Sequence, residues 1–113
     1  MKKTIAIPVD ENDFMDPHFG HCKIFILYAI NNDTIVSEDK LVPPPHEPGL
    51  LPRWLAEHGV TDIIAGGIGN KAINIFTDSG VNVFVGAPPF TALELIEGFL
   101  AKSLTFTANY CKH

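Results

Sequence analysis

Asp62-Ile63-Ile64-Ala65-Gly66-Gly67-Ile68-Gly69 joins a short apolar run to a glycine-rich turn, and this stretch decides the fold class. The apolar run predicts a buried strand, and Ala72, Ile73 and Phe76 then recur at the spacing of a helix face. A further apolar run at 81–85 predicts another strand. Strands separated by a helix pair in parallel through a right-handed crossover. The stretch is therefore expected to form the centre of an α/β sheet.

The amino-terminal third reads as an antiparallel meander. Residues 5–9 alternate apolar and smaller side chains, and 23–30 are rich in β-branched and aromatic residues. The turn 31–33, Asn-Asn-Asp, predicts a hairpin whose second strand is 34–41. Because the connector 42–49 carries four prolines, it is expected to be extended and outside the sheet.

Two more helices complete the predicted order βββαβαβα. Leu51, Trp54, Leu55 and His58 share one helix face, and Gly59 suits the position after the last turn. Thr91 followed by Glu94 predicts a capping box for the last helix. The side chains expected to pack inward are Leu93, Ile96 and Leu100 of that helix, with Trp54 and the eight phenylalanines as core candidates. The predicted fold is α/β, with a mixed five-stranded sheet and three helices.

Length and charge limit the possible partners. A chain of 113 residues with 46% hydrophobic content is expected to form one domain, 1–113. The formal net charge of -5 and eight scattered Lys and Arg residues argue against nucleic acid. The apolar run at the amino terminus is too short for a secretion signal, and the chain has no stretch long enough to span a bilayer. A cytoplasmic protein without a membrane partner is expected.

Imidazole and thiol groups are concentrated near both ends of the chain. The first cluster is His18-Phe19-Gly20-His21-Cys22 and the second is Cys111-Lys112-His113. These donors suit zinc, copper, iron or a metal-sulfide cluster rather than calcium or magnesium. A Cys22–Cys111 disulfide is not expected in a reducing cytosol. The predicted metal ligands are His18, His21, Cys22, Cys111 and His113, with purely structural roles as the alternative.

A ligand crevice is expected at the carboxyl ends of the parallel strands. Loop 10–22, the turn 66–70 and the turn 86–89 all follow such strands and would share one edge. The turn Gly66-Gly67-Ile68-Gly69 opens a helix, so its backbone N–H groups could face an anion. The alternative is a tight turn that lets helix and strand approach closely. The turn lacks the lysine of a P-loop and the spacing of a dinucleotide fingerprint.

The acidic residues of the first loop offer a competing interpretation. Asp10, Glu11, Asp13 and Asp16 could belong to a two-metal nuclease. Such a site needs another carboxylate at the carboxyl end of a neighbouring strand, where the chain has Gly66 and Gly67 instead. Solvated loop acids are therefore the favoured interpretation.

The chain resembles the dinitrogenase iron-molybdenum cofactor biosynthesis family, whose domains have a ribonuclease H-like fold. The resemblance rests on residues 5–9, 18–20, 66–69, 80–81 and 86–87 and covers nearly the whole chain. Family members bind or carry metal-sulfur clusters on their way to nitrogenase. The resemblance implies a cluster ligand at His18. The cofactor-binding set predicted on this basis is His18, Phe19, Gly20, Gly66, Gly67 and Gly69.

The resulting functional prediction is a non-enzymatic carrier that works in cofactor assembly or metal handling, in a family connected with nitrogen fixation. It would hold an iron-sulfur or molybdenum-containing cluster and exchange it with donor and acceptor proteins. Two alternatives stay open at this point. One is a regulatory module that binds a small anion or a nucleotide through the glycine turns. The other is an interaction module such as a homodimer, which would need neither cysteine.

Overall fold

The computed structural model describes residues 2–17, 19–45, 47 and 49–110, and of His21 it describes the backbone alone. A short 3-10 helix, Phe19–His21, lies between the first two strands. The strands are β1 (Lys2–Val9), β2 (Ile24–Asn31), β3 (Thr34–Leu41), β4 (Asp62–Ala65), β5 (Asn82–Val85) and β6 (Ala108–Tyr110). The helices are α1 (Leu50–Glu57), α2 (Asn70–Asp78) and α3 (Ala92–Leu100).

The strands form one mixed sheet in the order β3-β2-β1-β4-β5-β6. Strands β1, β4 and β5 are parallel neighbours, whereas β2, β3 and β6 pair antiparallel. The predicted α/β class is confirmed. The predicted count of five strands is wrong, because β6 adds a sixth at the edge beside β5. A strand of three residues is too short to show an alternating pattern, so its pairing with β5 is a tertiary feature.

Two apolar layers cover the sheet. Alternation along β1 sends Ile5, Ile7 and Val9 to one face, where they meet α3, and Ala6 to the other. The second layer contains Leu55 of α1 with Ile73 and Phe76 of α2. Within the described residues, no helix is long and apolar enough to cross a bilayer.

Helix α3 begins as predicted, and Ile96 and Leu100 pack on the core as predicted, but Leu93 does not. The Thr91 and Glu94 capping box is present, with Glu94 N–H donating to Thr91 Oγ1 at 3.2 Å and Thr91 N–H donating to Glu94 Oε1 at 3.0 Å. Ala92, Leu95 and Ile96 are buried, whereas Leu93 is 51% exposed, so its predicted inward position is wrong. Both sets fit a helical period, so periodicity alone did not decide between them, and the tertiary contacts of α3, among them the hydrogen bond from Ala92 N–H to the Asp13 carbonyl, accompany the observed orientation.

Two of the phenylalanines predicted for the core lie at the surface. Phe14 is 46% exposed and Phe90 is 42% exposed. Phe14 lies in the first loop and Phe90 lies just before α3. These two segments contact each other, and Phe14 forms a single β-bridge with Thr91. Aromatic character alone does not tell a core strand from such a loop contact.

Candidate functional site

The loops that follow the three parallel strands meet at one edge of the sheet. β1, β4 and β5 end there at Val9, Ala65 and Val85. Gly86 N–H donates to the Gly66 carbonyl at 3.0 Å and so connects the turns after β4 and β5. This is the edge at which the sequence predicted a ligand crevice.

Gly66 and Gly69 serve different purposes in the turn after β4. A Cβ atom on Gly66 would lie 2.9 Å from Met15 Cε, so the first loop packs directly on this residue. A Cβ atom on Gly67 would lie 3.9 Å from the Pro17 carbonyl oxygen, which is ordinary contact. Nothing lies within 4 Å of a Cβ on Gly69. Close packing therefore explains Gly66, while Gly69 borders open space.

The amino terminus of α2 has no side-chain cap. Its N-cap, Gly69, has extended backbone (φ -68°, ψ 154°), and the first turn contains no acidic residue. The first N–H groups and the positive end of the helix dipole therefore meet no carboxylate of their own helix. Helix α3 differs, since Thr91 and Glu94 cap it and these hydrogen bonds from Thr91 lower the pKa of Glu94. Helix α1 also has no side-chain cap, but it follows the connector rather than a strand. Of α2 and α3, which follow the parallel strands β4 and β5, only α2 has an amino terminus free of its own carboxylate and suited to an external anion.

Two acidic side chains of the first loop, Asp10 and Asp13, form hydrogen bonds or an ion pair within the protein. Asp10 Oδ1 accepts hydrogen bonds from the N–H groups of Asn12 at 2.9 Å and Phe14 at 3.1 Å. Asp13 pairs with Lys40 at 2.9 Å. Among the described residues, no group of three or more His, Cys, Asp or Glu side chains is arranged to hold a metal ion. The nuclease interpretation therefore gains no support.

Cys22 is the one predicted metal ligand whose side chain is described. It is a free thiol, 7% exposed, and belongs to the core layer of Phe19 and Phe25. Burial, with a smaller contribution from the charge of Asp16, raises the pKa of Cys22 to about 12. The group is therefore a neutral thiol at neutral pH. His18, Cys111, His113 and the His21 side chain lie outside the described residues.

Phe19, predicted as part of the cofactor site, lies in the core. It is 5% exposed and packs edge to face on Phe25 and Phe76, with ring centroids 5.7 and 5.6 Å apart. Such aromatic pairs add to the stabilisation from burial. Phe19 thus anchors the 3-10 helix Phe19–His21 to α2.

A pocket of about 470 Å³ lies beside Cys22 at the same edge. One side is formed by Gly20, Cys22 and Lys23, and the other by the connector 42–45 and the start of α1. Sequence analysis missed the contribution of Lys23 and the connector. The predicted hairpin could have indicated this contribution. Phe25 pairs with Leu41, so the residues before β2 lie next to the residues after β3.

The buried thiol predicts a pH dependence of stability. The pKa of Cys22 is raised from its ordinary value of 9.0 to about 12 in the folded protein. Between these two pKa values the unfolded chain releases the thiol proton, whereas the folded protein keeps it. Stability is therefore undiminished below pH 9 and falls as the pH rises further, by up to about 1.4 kcal/mol per unit. Urea unfolding of wild type and Cys22→Ala from pH 8 to pH 10 measures the difference. Parallel pH profiles for the two proteins would contradict the burial of this thiol.

The structure defines a small α/β protein in which the uncapped amino terminus of α2 lies at the carboxyl edge of the parallel strands. A family model described as "Dinitrogenase iron-molybdenum cofactor" matches residues 1–102, and the chain belongs to this family. An uncharacterized protein of Methanocaldococcus jannaschii, MJ0580, is 35% identical over 85 residues, which cover 71% of each chain.

Solved structures share the fold over nearly the full chain. The crystal structure of PH0822 superposes with a TM-score of 0.83 at 27% identity, covering 92% of this chain and 94% of that one. The apo form of the orange protein from Desulfovibrio gigas superposes with a TM-score of 0.77 at 21% identity, and the superposition covers 97% of both chains. At that identity, the second likeness concerns the fold alone.

Proposed function

We propose that this protein binds a metal-sulfur cluster, containing iron or molybdenum, and carries it during cofactor assembly or metal handling. Membership of the iron-molybdenum cofactor family supports a cofactor-related role. The observation that carries the proposal is the uncapped amino terminus of α2 at the carboxyl edge of the sheet. Metal-sulfide clusters are commonly anionic, and this terminus offers backbone donors and a positive dipole to an anion.

In this proposal the protein binds the cluster weakly, with different groups on its two sides. The first N–H groups of α2, beginning after Gly69, hold the anionic face of the cluster, and His18 supplies a ligand from the first loop. Cys22 is a conditional ligand, because a metal must first displace a proton that burial holds firmly. His21, Cys111 and His113 stay predicted ligands. Incomplete protein ligation suits a carrier, since the cargo must also leave.

Several wider predictions accompany this role. The carrier is expected to work without catalysis, between a cluster donor and an acceptor protein. A cytoplasmic location and a single domain over 1–113 also stay predictions. The chain could serve nitrogenase or another metal-handling process, and its partners would decide between them.

The decisive variant is Gly69→Asp, which places a carboxylate at the N-cap of α2. The position has room and suitable backbone, and aspartate is a favoured N-cap, so the free energy of unfolding should stay equal or rise by a few tenths of a kcal/mol. The same carboxylate occupies the anion position, so cluster loading should fall at least about tenfold, equivalent to 1.4 kcal/mol. Anaerobic reconstitution with iron and sulfide, or with tetrathiomolybdate, followed by metal analysis measures the loading.

Gly69→Asn is the matched control, because asparagine caps the helix without adding a charge. It should lose less loading than Gly69→Asp, and His18→Ala should also lose loading. If Gly69→Asp and His18→Ala both bind as much metal as wild type, the cluster does not reside at this edge.

The uncapped helix also favours a second candidate, a module that binds a small anion or a nucleotide. Phosphate or ATP would then raise the melting temperature of wild type but not of Gly69→Asp, because a ligand specific to the folded state stabilises by mass action. Stabilisation by these anions without any cluster loading would favour this module over the carrier.

A further inference from the structure

A second hollow, of about 250 Å³, lies on the face of the sheet that α3 covers, between Lys3 at the start of β1 and Phe84 of β5. Its wall forms because the chain folds back after α3. Lys102 has a left-handed backbone (φ 59°), and Ser103 N–H donates to the Gly98 carbonyl at 2.9 Å. A Cβ on Gly98 would lie 2.9 Å from Leu104 Cγ, so the returning segment packs tightly on the helix.

Three phenylalanine rings line this hollow and contact one another. The Phe84 ring centroid lies 5.0 Å from that of Phe99 and 5.2 Å from that of Phe106. All three side chains are partly exposed rather than buried. The Phe84–Phe99 pair meets edge to face, at 75°, which is the geometry that aromatic rings prefer. A further ring inserted here would gain the same contacts and remove apolar surface from water.

The rim of the hollow is positively charged in a protein that is acidic overall. Lys3 and Lys102 border it, and Asp33 is the single acidic residue among its lining. Lys3 Nζ lies 6.0 Å from the centroid of the Phe99 ring. The formal net charge of the chain is -5, so two lysines beside an aromatic hollow differ from the average surface. This arrangement favours a ligand with a flat apolar body and a negative group.

We propose that this hollow binds a small aromatic carboxylate. Its ring packs against Phe84, Phe99 and Phe106, and its carboxylate lies between Lys3 and Lys102. The volume falls below the range typical of drug-sized pockets, which limits the ligand to about one ring. The lining of the hollow shares no residue with the turn 66–69 or with loop 10–22, so its occupancy can be tested separately from the proposed cluster site.

Isothermal titration calorimetry with phenylacetate tests the site, and alternation along β1 provides a matched control. Lys3 shares the face of Ile5 and Ile7, whereas Lys2 points to the other face. Lys3→Gln should weaken phenylacetate binding about 5- to 10-fold, and Lys2→Gln, with the same loss of charge, should leave it unchanged. Asp33→Asn should tighten binding about 2-fold, because it removes the opposing charge and asparagine tolerates the left-handed turn.

Phenethylamine, a cation of similar size, should bind more weakly than phenylacetate to wild type. Amide chemical shifts of Phe84, Phe99 and Phe106 should move on titration with phenylacetate, which locates the ligand independently of affinity. Circular dichroism confirms that each variant is folded. The proposal is overturned if millimolar phenylacetate gives no heat and no shift, if Lys2→Gln and Lys3→Gln bind it equally, or if phenethylamine binds as tightly.

Discussion

Replacing Gly86 with alanine is expected to lower the free energy of unfolding by about 2–5 kcal/mol. Gly86 has φ +84°, a backbone conformation that costs other residues about 1–2 kcal/mol. Its added Cβ would also overlap the Thr107 side chain, with the closest approach to Oγ1. Relieving such an overlap costs typically about 1–3 kcal/mol more. Urea denaturation monitored by circular dichroism measures the loss.

The overlap matters because Thr107 holds the segment before β6. Its N–H and its hydroxyl both donate to the Val85 carbonyl, at 2.9 and 3.1 Å. Displacing Thr107 therefore loosens the edge of the sheet. It also disturbs the hydrogen bond from Gly86 to Gly66 that connects two turns of the candidate site.

Gly80→Ala is the control for backbone strain alone. Gly80 has nearly the same φ, +80°, but nothing lies within 4 Å of its Cβ position. This variant should lose about 1–2 kcal/mol. If Gly80→Ala and Gly86→Ala lose equal stability, the contact with Thr107 is not responsible for the larger effect.

Truncation of Phe76 to alanine is expected to cost about 3–5 kcal/mol, the range for a fully buried aromatic residue. The Phe76 side chain is 0% exposed and packs between α2 and the sheet. It also packs edge to face on Phe19, so its loss leaves a cavity and frees the 3-10 helix Phe19–His21. Thermal and urea unfolding measure the cost, and amide exchange should rise at Phe19 and Gly20.

Phe90→Ala removes the same atoms from a side chain that is 42% exposed. It should cost less than about 1 kcal/mol, because little apolar surface is lost from the core and no closed cavity forms. Comparable losses for Phe76→Ala and Phe90→Ala would mean that Phe76 does not occupy the core position described above.

Local patterns predicted the secondary structure of this chain well. The hairpin strand Thr34–Leu41 and the capping box of Thr91 and Glu94 occur where the sequence placed them. Such features depend on neighbours within a few residues, through turn chemistry, side-chain alternation and capping hydrogen bonds. The edge shared by the turns after β4 and β5 also followed, because parallel strands joined by helices leave few topologies open.

The burial and protonation of the candidate site residues could not be predicted from the sequence in the same way. Cys22 reads from sequence as a metal ligand, yet the structure buries it beside Phe25 and raises its pKa. Thiol chemistry depends on solvent access and nearby charge, and both come from residues distant in sequence. In the same way, Gly66 and Gly69 look alike in the sequence, but only the first is packed against Met15.

The sequence by itself determined the α/β class, the order of helices and strands up to α3, and the edge at which a ligand site was to be sought. Only the tertiary structure decided that Ala108–Tyr110 joins the sheet, that Leu93 faces outward and that Cys22 is a protonated core residue. The physical reason is the distance along the chain over which each interaction acts. Propensity, periodicity and capping act within a few turns of the chain, whereas strand pairing, helix rotation and burial depend on contacts between distant segments.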